Sequence, residues 1–148
     1  MTAKPLKLAE FLPYQLSITS NAVSELIARD YRSRFGLKIP EWRLMAVLGQ
    51  GVPHTQRELV SRTQMDKVTV NRAAKALADR ALIERTAHAE DGRSHHLCLS
   101  AAGASLYETI VPAAKAMETR LIAALDTGEE RTLSLLLEKI RSAAEALG

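Results

Sequence analysis

A stripe of cations and an amide runs along one side of a helical pattern near the middle of the chain. Lys67, Asn71 and Lys75 are spaced four residues apart, and Arg72 lies beside this row. Arginine donates two parallel hydrogen bonds to guanine, asparagine pairs similarly with adenine, and lysine neutralises phosphate. The stripe therefore predicts contact with the major groove of DNA. Most charged helix faces are simply solvated, so a plain amphipathic surface remains the alternative for this helix taken alone.

The opposite side of the same pattern is apolar. Val70, Ala73, Ala74 and Leu77 recur at helical spacing and predict a face that packs on a core. The helix should span about residues 67–80. Val68 and the methyl group of Thr69 suit the methyl group of thymine. The residues of this helix that we expect to contact DNA are Lys67, Val68, Thr69, Asn71, Arg72 and Lys75.

A shorter helix should precede this one, joined to it by a tight turn. Thr55 and Glu58 have the spacing of a capping box, in which each side chain satisfies a backbone N–H group of the first turn. Asp66 is suited to cap the second helix, because its charge complements the positive end of the helix dipole. Gln56 and Arg57, at the start of the first helix, are expected to contact the DNA backbone.

Two apolar runs follow, and they predict a β-hairpin beside the helices. The strands should cover residues 82–86 and 95–99, with a turn at Asp91-Gly92, a dipeptide that readily adopts positive φ. Arg93 near the tip can reach a phosphate or the narrow minor groove, and Asp91 can orient it. His95 is a further candidate for a phosphate contact. The order helix, turn, helix, strand, wing, strand is typical of a DNA-binding module.

Taken together, these motifs resemble the winged-helix core of the MarR family of bacterial transcriptional regulators. The matching features are a V-x-R pattern in the second helix, an L-I-x-R strand, a D-x-R wing, and a Ser and a Gly after it. Their residues are Val70, Asn71, Arg72, Leu82, Ile83, Arg85, Asp91, Arg93, Ser100 and Gly103. The family usually has glycine before the L-I strand, where this chain has Ala81. If that position is left-handed, alanine costs about 1 kcal/mol relative to glycine.

The resemblance implies a mainly α fold with a small β-wing. We expect residues 1–148 to form a single domain of this type, a winged helix-turn-helix flanked by N- and C-terminal dimerisation helices. The DNA-binding core should lie at about residues 38–100. The dimerisation helices should lie at residues 1–37 and 101–148.

The last helix has an apolar stripe that needs a partner. A second T-x-x-E spacing, Thr127 to Glu130, predicts where it starts. Its stripe consists of Leu133, Leu136, Leu137, Ile140, Ala144 and Leu147. The stripe either covers the winged helix of its own chain or pairs with a second copy. The resemblance favours a homodimer, because the terminal regions of the family interlock. A two-fold dimer implies a pseudo-palindromic operator.

The resemblance also implies a site for a small-molecule effector between the dimerisation helices and the winged helix. The candidate ligand-binding residues are Tyr14, Trp42, Arg43 and Tyr107. Taken alone, Trp42 and Tyr14 are equally well explained as core aromatics. The N-terminal run is similar to a subgroup that represses aromatic-acid catabolism, some of whose members sense hydroxycinnamoyl thioesters. Arg43 would then offer a cation to an anionic ligand.

Composition and missing motifs narrow the remaining function classes. The net charge of +3 is compatible with double-stranded DNA as a partner but does not demonstrate it. We expect no membrane span and no catalytic motif, and therefore no enzyme. We also expect no cofactor and no metal site, since His54, His88, His95 and His96 lack a known ligand spacing. The single cysteine, Cys98, should be a plain thiol, and a reducing cytoplasm fits.

Two readings outside sequence-specific regulation stay open. One is a winged helix that serves protein contact or DNA architecture without reading sequence. The other is a small-molecule binding protein or an enzyme in which the wing is incidental. If the winged helix reads no sequence, Asn71→Ala should change no base preference. If the wing is incidental, Arg72→Ala and Arg93→Ala should bind DNA with the same affinity as the parent.

Overall fold

The computed structural model describes residues 3–88 and 91–148, with the backbone alone for residues 87, 88 and 91–94. A short 3-10 turn at Leu8–Glu10 comes first. Within the described residues the helices are α1 Leu12–Phe35, α2 Ile39–Leu48, α3 Gln56–Thr63, α4 Lys67–Asp79, α5 Ala101–Leu121 and α6 Thr127–Leu147, and the strands are β1 Ile83–His88 and β2 Asp91–Leu99. The predicted mainly α fold with a small β-wing is confirmed. The chain divides into two compact units, Met1–Ile110 and Val111–Gly148.

Local sequence signals set the ends of the first helices. Pro13 lies in the first turn of α1, where its missing N–H group is not needed, and α1 ends at Gly36 with φ of 64°. Pro40 lies in the first turn of α2 in the same way. Gln64, with φ of 57°, ends α3 and turns the chain sharply toward α4. The helix-turn-helix order predicted from the sequence is therefore observed.

One hydrophobic core lies beneath α2, α3 and α4. Its members also come from both strands and from the first half of α5, so the core joins every element of the winged helix. The buried residues are Leu37, Leu44, Met45, Leu48, Leu59, Val70, Ala73, Ala74, Leu77, Leu82, Ile83, Leu97 and Ile110. The four residues predicted for the apolar face of α4 are all among them.

The two strands form an antiparallel hairpin. Ile83 lies opposite Leu99, Arg85 opposite Leu97 and residue 87 opposite His95, after which the register is irregular. The predicted turn at residues 91–92 is wrong, because both residues lie in β2. In the observed strand pairing, residue 88 lies opposite residue 91, and residues 92–94 have no residue of β1 directly opposite them. The connection at residues 89–90 lies outside the described residues.

The start of α5 is packed tightly against the loop before β1. The Ser100 hydroxyl donates a hydrogen bond to the Ala81 carbonyl oxygen at 2.7 Å, and the Ser100 hydroxyl oxygen accepts one from the Gly103 N–H at 3.0 Å. A Cβ atom at Gly103 would collide with the carbonyl oxygen of Leu82. The Ser and Gly of the family motif are therefore required by this close approach. Ala81 has φ of 56°, so the strain expected at the departure from the family is present.

The second unit contains the end of α5 and all of α6. α6 is capped by Asp126, whose carboxylate accepts the Glu129 N–H at 2.8 Å, while Glu129 returns a bond to the Asp126 N–H at 3.0 Å. The predicted start at Thr127 and Glu130 is therefore wrong by one residue, since the aspartate adds a negative charge at the positive end of the dipole. No residue of α6 is buried.

Candidate nucleic-acid interface

The N-terminus of α4 is held by Asp66. Its carboxylate accepts the backbone N–H of Thr69 at 2.7 Å and the Thr69 hydroxyl at 2.9 Å. These two bonds lower the pKa of Asp66 below its ordinary value, because both favour the ionised form. The Thr69 hydroxyl is thus already engaged as a donor, although its oxygen can still accept. Of the residues predicted to contact DNA, Thr69 is the one that the cap constrains.

The exposed face of α4 carries the predicted contact residues. Lys67, Asn71, Arg72 and Lys75 are all exposed. The apolar Val68 is 59% exposed beside them. The helix therefore offers cations, an amide and one apolar contact on a single surface, as the sequence predicted.

The start of α3 lies beside this surface. A shallow groove of about 390 Å³ is lined by Gln56, Arg57, Val60, Lys67 and Asn71. Gln56 is half-buried and Arg57 is exposed. The structure thus brings the two α3 residues of the predicted interface into one groove with two residues of α4.

A second groove separates α4 from β1. It has a volume of about 460 Å³, and its lining includes Gln56, Asn71, Lys75 and Arg85. Lys75 also pairs with Asp79 at 3.3 Å, but both side chains are largely exposed, so the pair contributes little stability. Sequence reasoning used Arg85 only as a motif residue and missed it as a candidate contact. Its position opposite Leu97 in the hairpin, facing the α4 groove, was the missing information.

The carboxylate of Glu58, in the first turn of α3, lies close to one histidine in the preceding loop and to another in β2. Its carboxylate lies 2.9 Å from Nδ1 of the buried His54, and the ionised carboxylate requires that Nδ1 carry the proton and donate. Nε2 of His96 in β2 lies 3.9 Å from the same carboxylate. The bond from His54 is the main cause that lowers the pKa of Glu58. His54 also exchanges two backbone hydrogen bonds with Leu97, at 3.0 and 2.7 Å.

The wing residues are described in part. His95 is exposed and His96 is half-buried, so the two neighbours face opposite sides of the hairpin as expected. The predicted roles of the Arg93 and Asp91 side chains lie outside the described residues. They stay predictions.

Comparison with known proteins gives a family match over the part of the chain that carries this interface, and two similar repressors. A family model described as MarR family matches residues 35–94. The HTH-type transcriptional repressor Rv2887 of Mycobacterium tuberculosis is 27% identical over 110 residues, covering 74% of this chain and 79% of the relative. The HTH-type transcriptional repressor NicR of Pseudomonas putida is 27% identical over 96 residues, covering 65% of this chain and 61% of the relative.

Solved structures extend the match over the flanking helices. A MarR/EmrR family transcriptional regulator from Acinetobacter sp. ADP1 superposes with a TM-score of 0.87 at 26% identity, covering 95% of this chain and 99% of that one. Over nearly its whole length this chain is similar to MarR-family winged-helix transcriptional regulators. The resemblance inferred from the motifs is confirmed, and so is the expectation of a non-enzymatic role.

Two more distant MarR-fold structures share the architecture. Bordetella bronchiseptica BpsR, described with regulation of its DNA binding by 6-hydroxynicotinic acid, has a TM-score of 0.86 at 20% identity and covers 93% of this chain and 98% of its own. The MepR–DNA complex of S. aureus has a TM-score of 0.77 at 21% identity, and the match covers 90% of this chain and 98% of MepR. At these identities the likeness shows the fold alone.

The structure brings only some of the predicted ligand-binding residues together. The rings of Trp42 and Tyr107 stack with centroids 6.3 Å apart, and Tyr31 meets Trp42 edge-on at 5.5 Å. Tyr14 is half-buried and Arg43 is exposed, and neither joins this stack within the described residues. Sequence reasoning missed Tyr31, whose pKa is raised chiefly by burial. Its position in the apolar spacing of α1 was the available signal.

Gly49 makes room for the stack. A Cβ atom there would collide with the ring of Tyr107, so the glycine after α2 lets the aromatic ring lie against the backbone.

Other candidate sites are simpler. Cys98 is half-buried, with Sγ 3.9 Å from the Glu84 carbonyl oxygen, and fits a plain thiol. Within residues 3–88 and 91–148, no group of three His, Cys, Asp or Glu side chains is arranged to hold a metal ion. None of the described helices is long and apolar enough to cross a membrane.

Proposed function

We propose that this protein is a MarR-family repressor that binds a pseudo-palindromic operator as a homodimer and is released by a small-molecule effector. The observation that carries the proposal is the division of α4 into a buried apolar face and an exposed face with Asn71 and Arg72. Because its apolar side is occupied by its own core, the helix can present its polar side to base edges.

Each predicted contact residue has a role in this proposal. Asn71 and Arg72 read base edges, and Val68 and Thr69 contact a thymine methyl group. Cations on both sides of the groove contact phosphates, and Arg93, oriented by Asp91, enters or borders the minor groove. The phosphate contacts are Gln56, Arg57, Lys67, Lys75 and His95.

Exposed apolar side chains support the homodimer. In the first unit, α1 and the turn before it leave Leu8, Phe11, Leu12 and Leu16 between 37% and 62% exposed. In the second unit, α6 exposes a row of leucines. We propose that residues 1–37 and 101–148 pair with a second copy, and that residues 38–100 form the DNA-binding core. Two-fold pairing places two copies of α4 about one helical turn of DNA apart.

The aromatic stack supports an effector with a planar ring. Trp42 and Tyr107 are half-buried, so their rings are partly accessible. We propose an aromatic acid or its acyl thioester, with the ring near Trp42 and Tyr107, further contact from Tyr14, and the anionic group near Arg43. The ligand named for BpsR, an aromatic acid, supports this class. The effector releases DNA by binding better to the conformation that does not fit DNA, and each tenfold of that preference is worth about 1.4 kcal/mol. We propose that the protein acts in the cytoplasm.

Selection of bound sequences from random duplex DNA tests the proposal. The purified protein should enrich a motif with two inverted half-sites, and aromatic acids or their thioesters should weaken binding to it. DNA binding without an enriched motif would support an architectural role instead. Absence of any salt-dependent DNA binding would leave only a small-molecule binding protein.

A further inference from the structure

The side chain of Arg80, the residue after α4, reaches the end of α1. Nη1 donates a hydrogen bond to the Gly36 carbonyl oxygen at 3.1 Å, and Nη2 donates to the Phe35 carbonyl oxygen at 3.3 Å. These acceptors lie 44 and 45 residues earlier in the chain. One side chain thus joins the C-terminal ends of two helices.

The chemistry of both partners favours this contact. The last carbonyl groups of a helix have no donor within the helix, and the left-handed Gly36 ends α1 so that two successive carbonyl oxygens face Arg80. A guanidinium group presents two N–H donors in a rigid planar fork, which an ammonium group cannot do. Its positive charge also lies at the negative end of the α1 dipole.

Arg80 occupies a junction in the DNA-binding core. It caps α4, and the next residues are the left-handed Ala81 and the buried Leu82, which lead into the wing. α1 and α4 both pack against α2. The Arg80 hydrogen bonds therefore add a direct link between the ends of α1 and α4, two helices that also both pack against α2.

We propose that Arg80 is a positioning residue that sets the orientation of α4 relative to α1. This inference rests on the proposed function, in which α1 belongs to the dimer and α4 reads the operator. In such a dimer the angle between α1 and α4 determines the distance and the rotation between the two copies of α4. Arg80 therefore determines which spacing of half-sites the protein accepts.

Loss of the clamp has a specific consequence for DNA binding. If α4 samples a wider range of angles, its orientation must be fixed when DNA binds. The entropy lost in that step lowers the affinity for the best operator. The protein then discriminates less strongly against operators with an altered half-site spacing, because the wider range of α4 orientations includes those that fit them. A direct phosphate contact would behave differently, since its loss weakens binding at every spacing and reduces the salt dependence.

The test compares four forms of the full-length protein on the operator selected by the parent. The forms are the parent, Arg80→Gln, Arg80→Lys and the control Arg32→Gln. Arg32 is an exposed cation in the last turn of α1, and its side chain makes no ion pair or hydrogen bond within the described residues. Binding is measured on the selected operator and on versions with one base pair inserted or removed, at several salt concentrations. Thermal unfolding checks that each form is folded at the assay temperature.

Arg80→Gln should bind the selected operator about fivefold more weakly, the loss expected from one or two exposed charge-assisted hydrogen bonds. Its preference for the selected spacing should fall by a similar factor, with an unchanged salt slope. Arg80→Lys should be intermediate, because it keeps the charge but loses the two-carbonyl bridge. Arg32→Gln should keep the spacing preference of the parent.

Two results would overturn the proposed role of Arg80 and leave the proposed function intact. The first is a folded Arg80→Gln protein with the spacing preference of the parent. The second is a salt slope reduced by about one with an unchanged preference, which identifies a phosphate contact. If the parent itself selects no motif, the proposed function fails first, and the inference falls with it.

Discussion

Helices α4 and α6 are both amphipathic, but they place their apolar residues in different surroundings. α4 buries Val70, Ala73, Ala74 and Leu77. α6 buries none of its residues, and Leu135 and Leu136 are 51% and 49% exposed. The apolar face of α4 is satisfied within the chain, so its polar face is free for a charged partner. The apolar face of α6 is unsatisfied, which indicates an apolar partner such as a second copy.

The comparison shows that a helical stripe alone does not say what covers it. Both stripes have the spacing of a packed face. Only the folded structure distinguishes the stripe that the chain covers by itself from the stripe that it leaves exposed.

The largest effect is expected from truncating a leucine of α4. Leu77→Ala removes a fully buried side chain and should lower the free energy of unfolding by about 2–5 kcal/mol. The matched change in α6 is Leu136→Ala, which should alter the unfolding of the monomer little and weaken association instead. Denaturant unfolding at low and high protein concentration measures both effects.

Concentration dependence distinguishes the two leucines. The loss for Leu77→Ala should be similar at all concentrations, and the loss for Leu136→Ala should appear as weaker self-association in sedimentation. Equal, concentration-independent losses for both variants would contradict the assignment of α6 to an intermolecular interface.

A smaller effect is expected at the end of α4. Ala81 has φ of 56°, a conformation that glycine adopts without the steric penalty of a Cβ atom. Ala81→Gly should therefore raise the free energy of unfolding by about 1 kcal/mol. Thermal unfolding measures the change, and a lower melting temperature would show that position 81 is not left-handed in solution.

The smallest effect concerns the cap of α4. The hydrogen bonds from the Thr69 N–H and hydroxyl lower the pKa of Asp66 below its ordinary value in the folded protein. Because its pKa is lowered by folding, ionised Asp66 stabilises the fold fully at pH values above its pKa in the unfolded protein. This contribution is lost as the pH falls through its pKa in the folded protein. Asp66→Asn keeps the cap without the titration. Below about pH 4 the parent should lose stability relative to Asp66→Asn. Parallel curves for the two proteins would contradict the cap.

The parts of the fold that follow local rules were predictable from the sequence. The faces of α4, the cap at Asp66 and the end of α1 at Gly36 depend on residues within about one helical turn of each other. The wing turn was not predictable in this way. A D-G dipeptide favours a turn locally, but pairing with residues 83–88 places residues 91–92 in β2.

The contacts between distant residues were the other part that the sequence did not reveal. Arg80 meets carbonyl groups 44 and 45 residues away, and Tyr107 lies over Gly49. The motif placed Arg85 in a strand, but its groove with Asn71 exists only because β1 packs beside α4. Such sites depend on the packing of whole elements, for which periodicity carries no information.

The exposed face of α4 is tested most directly by comparing the operators that two proteins select. Asn71→Ala removes an exposed amide without disturbing the buried face, so the protein should stay folded. Selection from random duplex DNA with the parent and with Asn71→Ala should give motifs that differ at one position in each half-site, where the variant accepts other bases at a cost lower by about 1–3 kcal/mol. Identical motifs for the parent and the variant would contradict the assignment of this face to base recognition.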